Sequence, residues 1–192
     1  MRQVYLNLIL IAILIVLWSQ LDSPAVFSLA PTVEPSPTVT STPTPTQAPP
    51  QMLIIPKLTL NANIEPVGVN EGRQMAIPSD FSQIGWYVRG IKPGEEGTAI
   101  LAGHFDDQSG QPAAFYNLNQ LEVGDRMEVI DIGGKQLKFI VDDKQAYPAF
   151  TAIEELTNTN KGKNLILITC SGWWDSSIAS YSHRLVVFAT LQ

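Results

Sequence analysis

Cysteine occurs once in the 192 residues, at Cys170. That scarcity excludes an internal disulfide and a zinc site built from several cysteines. Basic residues are also few, 12 Lys and Arg against 18 Asp and Glu, for a formal net charge of −6. They are scattered without a basic stripe, which excludes a nucleic-acid surface. No dense acidic loop of the calcium-ligating kind is present; the nearest approach is Glu95, Glu96, Asp106 and Asp107, spread over two short loops. The sequence therefore calls for no metal and no cofactor. Helical periodicity is scarce, there is no internal repeat, and histidine occurs only at His104 and His183.

What is present falls into three parts. Val4 to Trp18 (VYLNLILIAILIVLW) is almost wholly apolar and follows Arg2. With its margins it approaches the roughly 20 residues that span a bilayer, and the preceding positive charge orients the N-terminus to the cytoplasm. Residues 1–21 are therefore expected to be a signal-anchor transmembrane helix in the bacterial cytoplasmic membrane. The competing reading is a cleaved signal peptide ending near Phe27–Ala30, which Pro31 disfavours. Residues 22–50 form an extracytoplasmic linker. Its Pro/Thr-rich core (PTVEPSPTVTSTPTPTQAPP) has no periodicity that could bury a core. At about 3.1 Å per residue such a segment reaches roughly 60 Å.

From residue 51 to 192 the character changes. Short apolar or alternating runs (MLIIPKLTL, NIEPVGV, QMAIP, GTAILAGHF, DRMEVIDI, QLKFIVDD, NLILITC, RLVVFATL) are separated by turn signals such as Lys92-Pro93-Gly94 and Gly133-Gly134. Many short strands with frequent turns predict an all-β sandwich or barrel. Short helices are expected only at Ala113–Leu121 and Ala152–Leu156.

Three signals carry chemistry. ILAGH is a strand ending on Gly103-His104; LILITC is a buried strand ending on Thr169-Cys170, with Ser171-Gly172 opening a loop; and Arg184 opens the apolar run LVVFAT. Taken singly, His104 caps a turn, Cys170 is a small core residue and Arg184 is a rim charge. Together they supply a thiolate nucleophile, an imidazole that takes and gives protons, and a cation for the oxyanion of a tetrahedral intermediate. A barrel brings distant strand ends together. Because side chains alternate along a strand, His183 and Arg184 are expected on opposite faces, so that only one can face the thiol; the need for a permanent charge with a planar fork of donors favours Arg184.

In AGHF, ILITC and HRLVVFAT, in this order and strand context, the chain resembles the sortase family of cysteine transpeptidases from about Leu53 to the C-terminus. The segment GHFDDQSGQPAAFYNLNQLEVGD is most similar to the branch called class F. The resemblance implies an eight-stranded β-barrel. It implies cleavage of an LPxTG-like sorting signal between Thr and Gly through a thioester on Cys170, and transfer to an amine acceptor at the cell wall. His104 and Arg184 complete the triad, and Thr169 helps hold the oxyanion. The family's TLxTC motif has Ile166 in place of its first Thr, a change expected to face the core and to affect packing. Asp106 is expected to orient or charge the imidazole, against the simpler reading of a solvated acidic turn. Trp173-Trp174 either walls a peptide groove or folds over the barrel end. Two other functions fit the same chain: a hydrolase of wall peptides, and a surface binding module of the same fold without activity.

Overall fold

The computed structural model describes residues 47–70, 74–157 and 162–192, which lie in one compact unit, Pro43–Gln192. The expected anchor and most of the linker lie outside the described residues; among the described ones no helix is long and apolar enough to cross a membrane.

Eight strands close into a barrel: β1 (Pro50–Ile55), β2 (Leu60–Val67), β3 (Ile84–Tyr87), β4 (Gly97–Gly103), β5 (Arg126–Asp131), β6 (Gln136–Pro148), β7 (Lys163–Asp175) and β8 (Ser180–Leu191). Their order around the barrel is β1-β2-β3-β4-β7-β8-β6-β5. The β2–β3 and β4–β7 pairs are parallel and the rest antiparallel. Of the expected runs, QMAIP makes only an isolated bridge, Val69 to Met75.

Two apolar clusters explain the near-continuous hydrophobicity of the motif strands. Inside the barrel, Ala99 and Leu101 of β4 meet Leu165 and Leu167 of β7 and Val187 and Ala189 of β8. The alternate residues Ile100, Ile166 and Val186 form a second cluster, with Ile168 packed against it, on the outer face. There they pack with Ile153 and Leu156 of α1 (Ile153–Thr157). A sheet buried on both faces has no polar face to alternate with. The Ala113–Leu121 segment is turns ending in a short 3-10 stretch rather than a helix. Its Phe115, Leu118 and Leu121 are fully buried, at the three-residue spacing that aligns side chains in a 3-10 turn.

The ordered unit extends ahead of Gln51. Pro50 is the first residue of β1, and Gln47 is buried, donating from Nε2 to Asp131 Oδ2 (2.7 Å) and accepting from Lys135 Nζ (2.8 Å). A fragment beginning at Gln51 loses these bonds and leaves Asp131 with an unmet acceptor. Each such bond to a charged group contributes about 1.5–3 kcal/mol. The Gln51 fragment should therefore melt several degrees below one beginning at Pro43, with the fold retained. Equal melting temperatures for the two would show that Gln47 adds nothing.

Candidate active site

Cys170 lies on β7 directly opposite Arg184 on β8, a paired position in the antiparallel ladder. On its other flank the parallel β4–β7 register runs to Ala102 opposite Ile168; continued two residues, past the end of β4 at Gly103, that register would bring His104 level with Cys170. Two of the side chains thus come from adjacent strands, and the third from the residue directly after the strand on the other flank. They share the parity of Ile100, Ile166, Ile168 and Val186, which puts them on the outer face, at one end of the second apolar cluster. Ile166 is buried as expected, but on the face that Cys170 shares rather than inside the barrel.

Cys170 and Arg184 do not sit at strand ends. β7 continues through Ser171 and Gly172 to Asp175, and β8 starts at Ser180, so Arg184 is preceded by four strand residues. The expected loop at Ser171-Gly172 is a β-bulge, where the register shifts between Ser171 and Trp174. The bulge explains the glycine. Gly172 has φ +81°, and a Cβ there would lie 2.3 Å from Ser182 Oγ. The other motif glycine answers to packing, since a Cβ on Gly103 would lie 2.7 Å from the Phe115 ring. The bulged hairpin carries Trp173 and Trp174, both exposed, against the rings of His183 and Tyr181 respectively.

His104 is held from two directions. Its Nε2 lies 2.9 Å from the carbonyl oxygen of Pro78, and its ring packs on Phe81 with centroids 4.5 Å apart. A carbonyl only accepts, so the hydrogen is on Nε2 and Nδ1 is left for proton exchange. Arg184 donates from Nη1 to the carbonyls of Tyr181 (3.1 Å) and His183 (2.9 Å), and from Nη2 to Ser180 Oγ (3.0 Å). Among the described residues these bonds engage three of its five N–H donors. Thr169 is buried and its hydroxyl donates to Gly103 O at 2.9 Å. It therefore ties the end of β4 to β7. Asp106 accepts a hydrogen bond from the Tyr181 hydroxyl on Oδ2. His183 pairs with Ser171 and lies 2.8 Å, Nδ1 to Oγ, from Ser182, on the strand face opposite Arg184. A cleft of about 590 Å³ lies beyond Phe81, between Leu60, Asp80, Asp107 and Tyr116, and none of the three central residues lines it. Pro78, Phe81 and Tyr181 carried no sequence signal. Pro78 acts through its main chain, and the other two are ordinary aromatics until the fold places them.

Burial pushes the Cys170 thiol above its ordinary pKa; the Arg184 charge pulls it down and the Asp106 charge pushes it up. In the absence of substrate, alkylation of Cys170 should accordingly titrate above the ordinary thiol range. Arg184→Gln should move the midpoint further up, because the thiolate loses its cation, and Asp106→Asn should move it down. A midpoint at or below that of a free thiol would contradict this electrostatic arrangement.

The comparisons with known proteins agree with this architecture. The Sortase domain family profile matches residues 53–192, and the chain belongs to that family. Similar solved structures include sortase C1 from Streptococcus agalactiae (22% identity, TM-score 0.57, 74% of this chain and 66% of that one). Sortase C-1 from Actinomyces oris (23%, 0.55, 73% and 72%) and sortase A from Corynebacterium diphtheriae (21%, 0.57, 76% and 62%) are also similar. At these identities they show the fold. The chain spans slightly under two thirds of the length of the S. agalactiae and C. diphtheriae proteins. No curated protein sequence matches it.

Proposed function

We propose that this chain is a membrane-anchored sortase of the class F branch that works outside the cytoplasm. It cleaves an LPxTG-like sorting signal between Thr and Gly and transfers the new carboxyl end to an amine at the cell wall. The observation that carries the reading is the pairing of Cys170 with Arg184 on adjacent strands, with His104 directly after the strand on the other flank of Cys170, at the end of the outer apolar cluster. The branch assignment rests on residues 103–125, and the location rests on residues 1–50.

The residues on this face support the following chemistry. An extended peptide places its scissile carbonyl at Cys170, beyond the end of the outer apolar cluster that α1 covers. His104 Nδ1 takes the thiol proton, Sγ bonds to the carbonyl carbon, and Arg184 stabilises the oxyanion. As the tetrahedral intermediate collapses, the C–N bond breaks and the imidazolium returns its proton to the leaving amine. The thioester conserves the energy of the peptide bond, so an acceptor amine replaces the sulfur without ATP, again with His104 moving the proton. Thr169 serves by position. Its hydroxyl is committed to Gly103 O, which fixes His104 relative to Cys170.

The test is a panel of sorting-motif peptides incubated with the fragment beginning at Pro43, with and without an added amine, and products read by mass spectrometry. Cleavage after Thr that converts to an amine-ligated product supports the proposal. Hydrolysis that no amine diverts makes the protein a wall-peptide hydrolase. No turnover, with Cys170 inert to a thiol probe, makes it a binding module.

A further inference from the structure

Tyr181 is the second residue of β8, and nothing in the chemistry above uses it. Its hydroxyl donates to Asp106 Oδ2. Its ring packs edge-on with Phe105 and Trp174, at centroid distances of 5.5 Å in each case. Its main-chain carbonyl accepts from Arg184 Nη1 at 3.1 Å. One residue therefore touches the bulged hairpin, the segment that follows His104, and the guanidinium.

The arrangement settles a conflict of charges. Asp106 and Arg184 both act on the Cys170 sulfur, with opposite sign. A carboxylate and a guanidinium whose charges reach the same sulfur, and which one residue, Tyr181, contacts both, are natural partners for a bidentate pair. Among the described residues, however, Arg184 is in no ion pair, and its donors go to the carbonyls of Tyr181 and His183 and to Ser180 Oγ. A neutralised Arg184 would be of little use to a developing oxyanion, whose stabilisation needs a charge held ready.

We propose that Tyr181 is a positioning residue for acyl transfer: its hydroxyl restrains the Asp106 carboxylate, so that Arg184 stays unpaired and free to meet the oxyanion. The restraint persists at every working pH. The phenol is pushed up to about 12, first by the hydrogen bond to Asp106, then by burial and by the charges of Asp106, Cys170 and Tyr116, so it remains a donor. The inference rests on the assignment of Arg184 to the oxyanion made above.

Tyr181→Phe keeps the ring and the main-chain carbonyl and removes only the hydroxyl. In the peptide assay it should lower kcat about tenfold, the scale of one hydrogen bond to a charged group. In an Asp106→Asn background the same substitution should cost less than about threefold, because no carboxylate remains to capture Arg184. The pH midpoint of Cys170 alkylation, which needs no substrate, gives a second reading. It should rise in Tyr181→Phe as Arg184 is neutralised, and that rise should vanish in the Asp106→Asn background. A Tyr181→Phe protein with wild-type kcat and midpoint overturns the proposal. So does a loss of equal size in both backgrounds, which would make the hydroxyl merely structural. If no peptide is turned over even by the wild type, the assignment of function fails, and the alkylation cycle still decides whether Tyr181 holds Asp106 off Arg184.

Discussion

Cys170→Ala should abolish cleavage and ligation together, by on the order of 10⁴-fold or more, and leave the melting temperature nearly unchanged. Both reactions run through the same sulfur, so neither has a bypass. A hydrolase that merely used Cys170 to shape its site would keep part of its activity. The fold should tolerate the change because Cys170 is half-buried on the outer face, outside the interior cluster. Alanine keeps the Cβ and removes a single sulfur. The assay needs both readouts. Loss of activity with an intact melting transition supports the nucleophile, whereas turnover near that of the wild type would remove the basis of the functional assignment.

Arg184→Lys should be almost as damaging, with kcat lowered about 100-fold or more, while His183→Ala costs at most a few-fold. Both residues are cationic candidates one position apart. The ladder separates them: Arg184 is paired with Cys170, and His183 is paired with Ser171 and turned toward Trp173. The guanidinium is held by two main-chain carbonyls and Ser180 Oγ, a planar anchorage that a lysine ammonium cannot reproduce while still reaching the oxyanion. Rates for Arg184→Lys, Arg184→Ala and His183→Ala on one peptide decide it. A dead His183→Ala beside an active Arg184→Lys would place the catalytic cation on the wrong face of β8.

Several features could be read from the sequence because they depend on local pattern. Short apolar runs broken by Gly, Pro and Asn announced many strands and few helices, and the barrel has that content. The alternation rule alone places His183 and Arg184 on opposite faces, since the two-residue period of a strand is a property of the chain itself. A lone cysteine after LILIT, a histidine after ILAG and an arginine before LVVFAT named three candidates in three distant segments.

The fold alone decided how those segments meet. No local signal pairs β4 with β7 in parallel, so none could say that this register, continued past β4, would bring His104 level with Cys170, or that the shared face is the outer one. The outer cluster made Ile166 part of the floor beside Cys170, because it covers the second face of the sheet with α1 and hides the polar alternation that would have marked it. Ser171-Gly172 has the look of a loop opening and is a bulge within a strand, because β8 continues the ladder from the other side. Thr169 and Asp106 had roles inferred from neighbours in sequence, toward an oxyanion and toward His104. Their hydrogen-bond partners, Gly103 and Tyr181, lie 66 and 75 residues away along the chain. Chain composition and period fix which residues can do chemistry. Which polar group each one touches is set by strand order and register, and those depend on contacts among segments far apart in the chain.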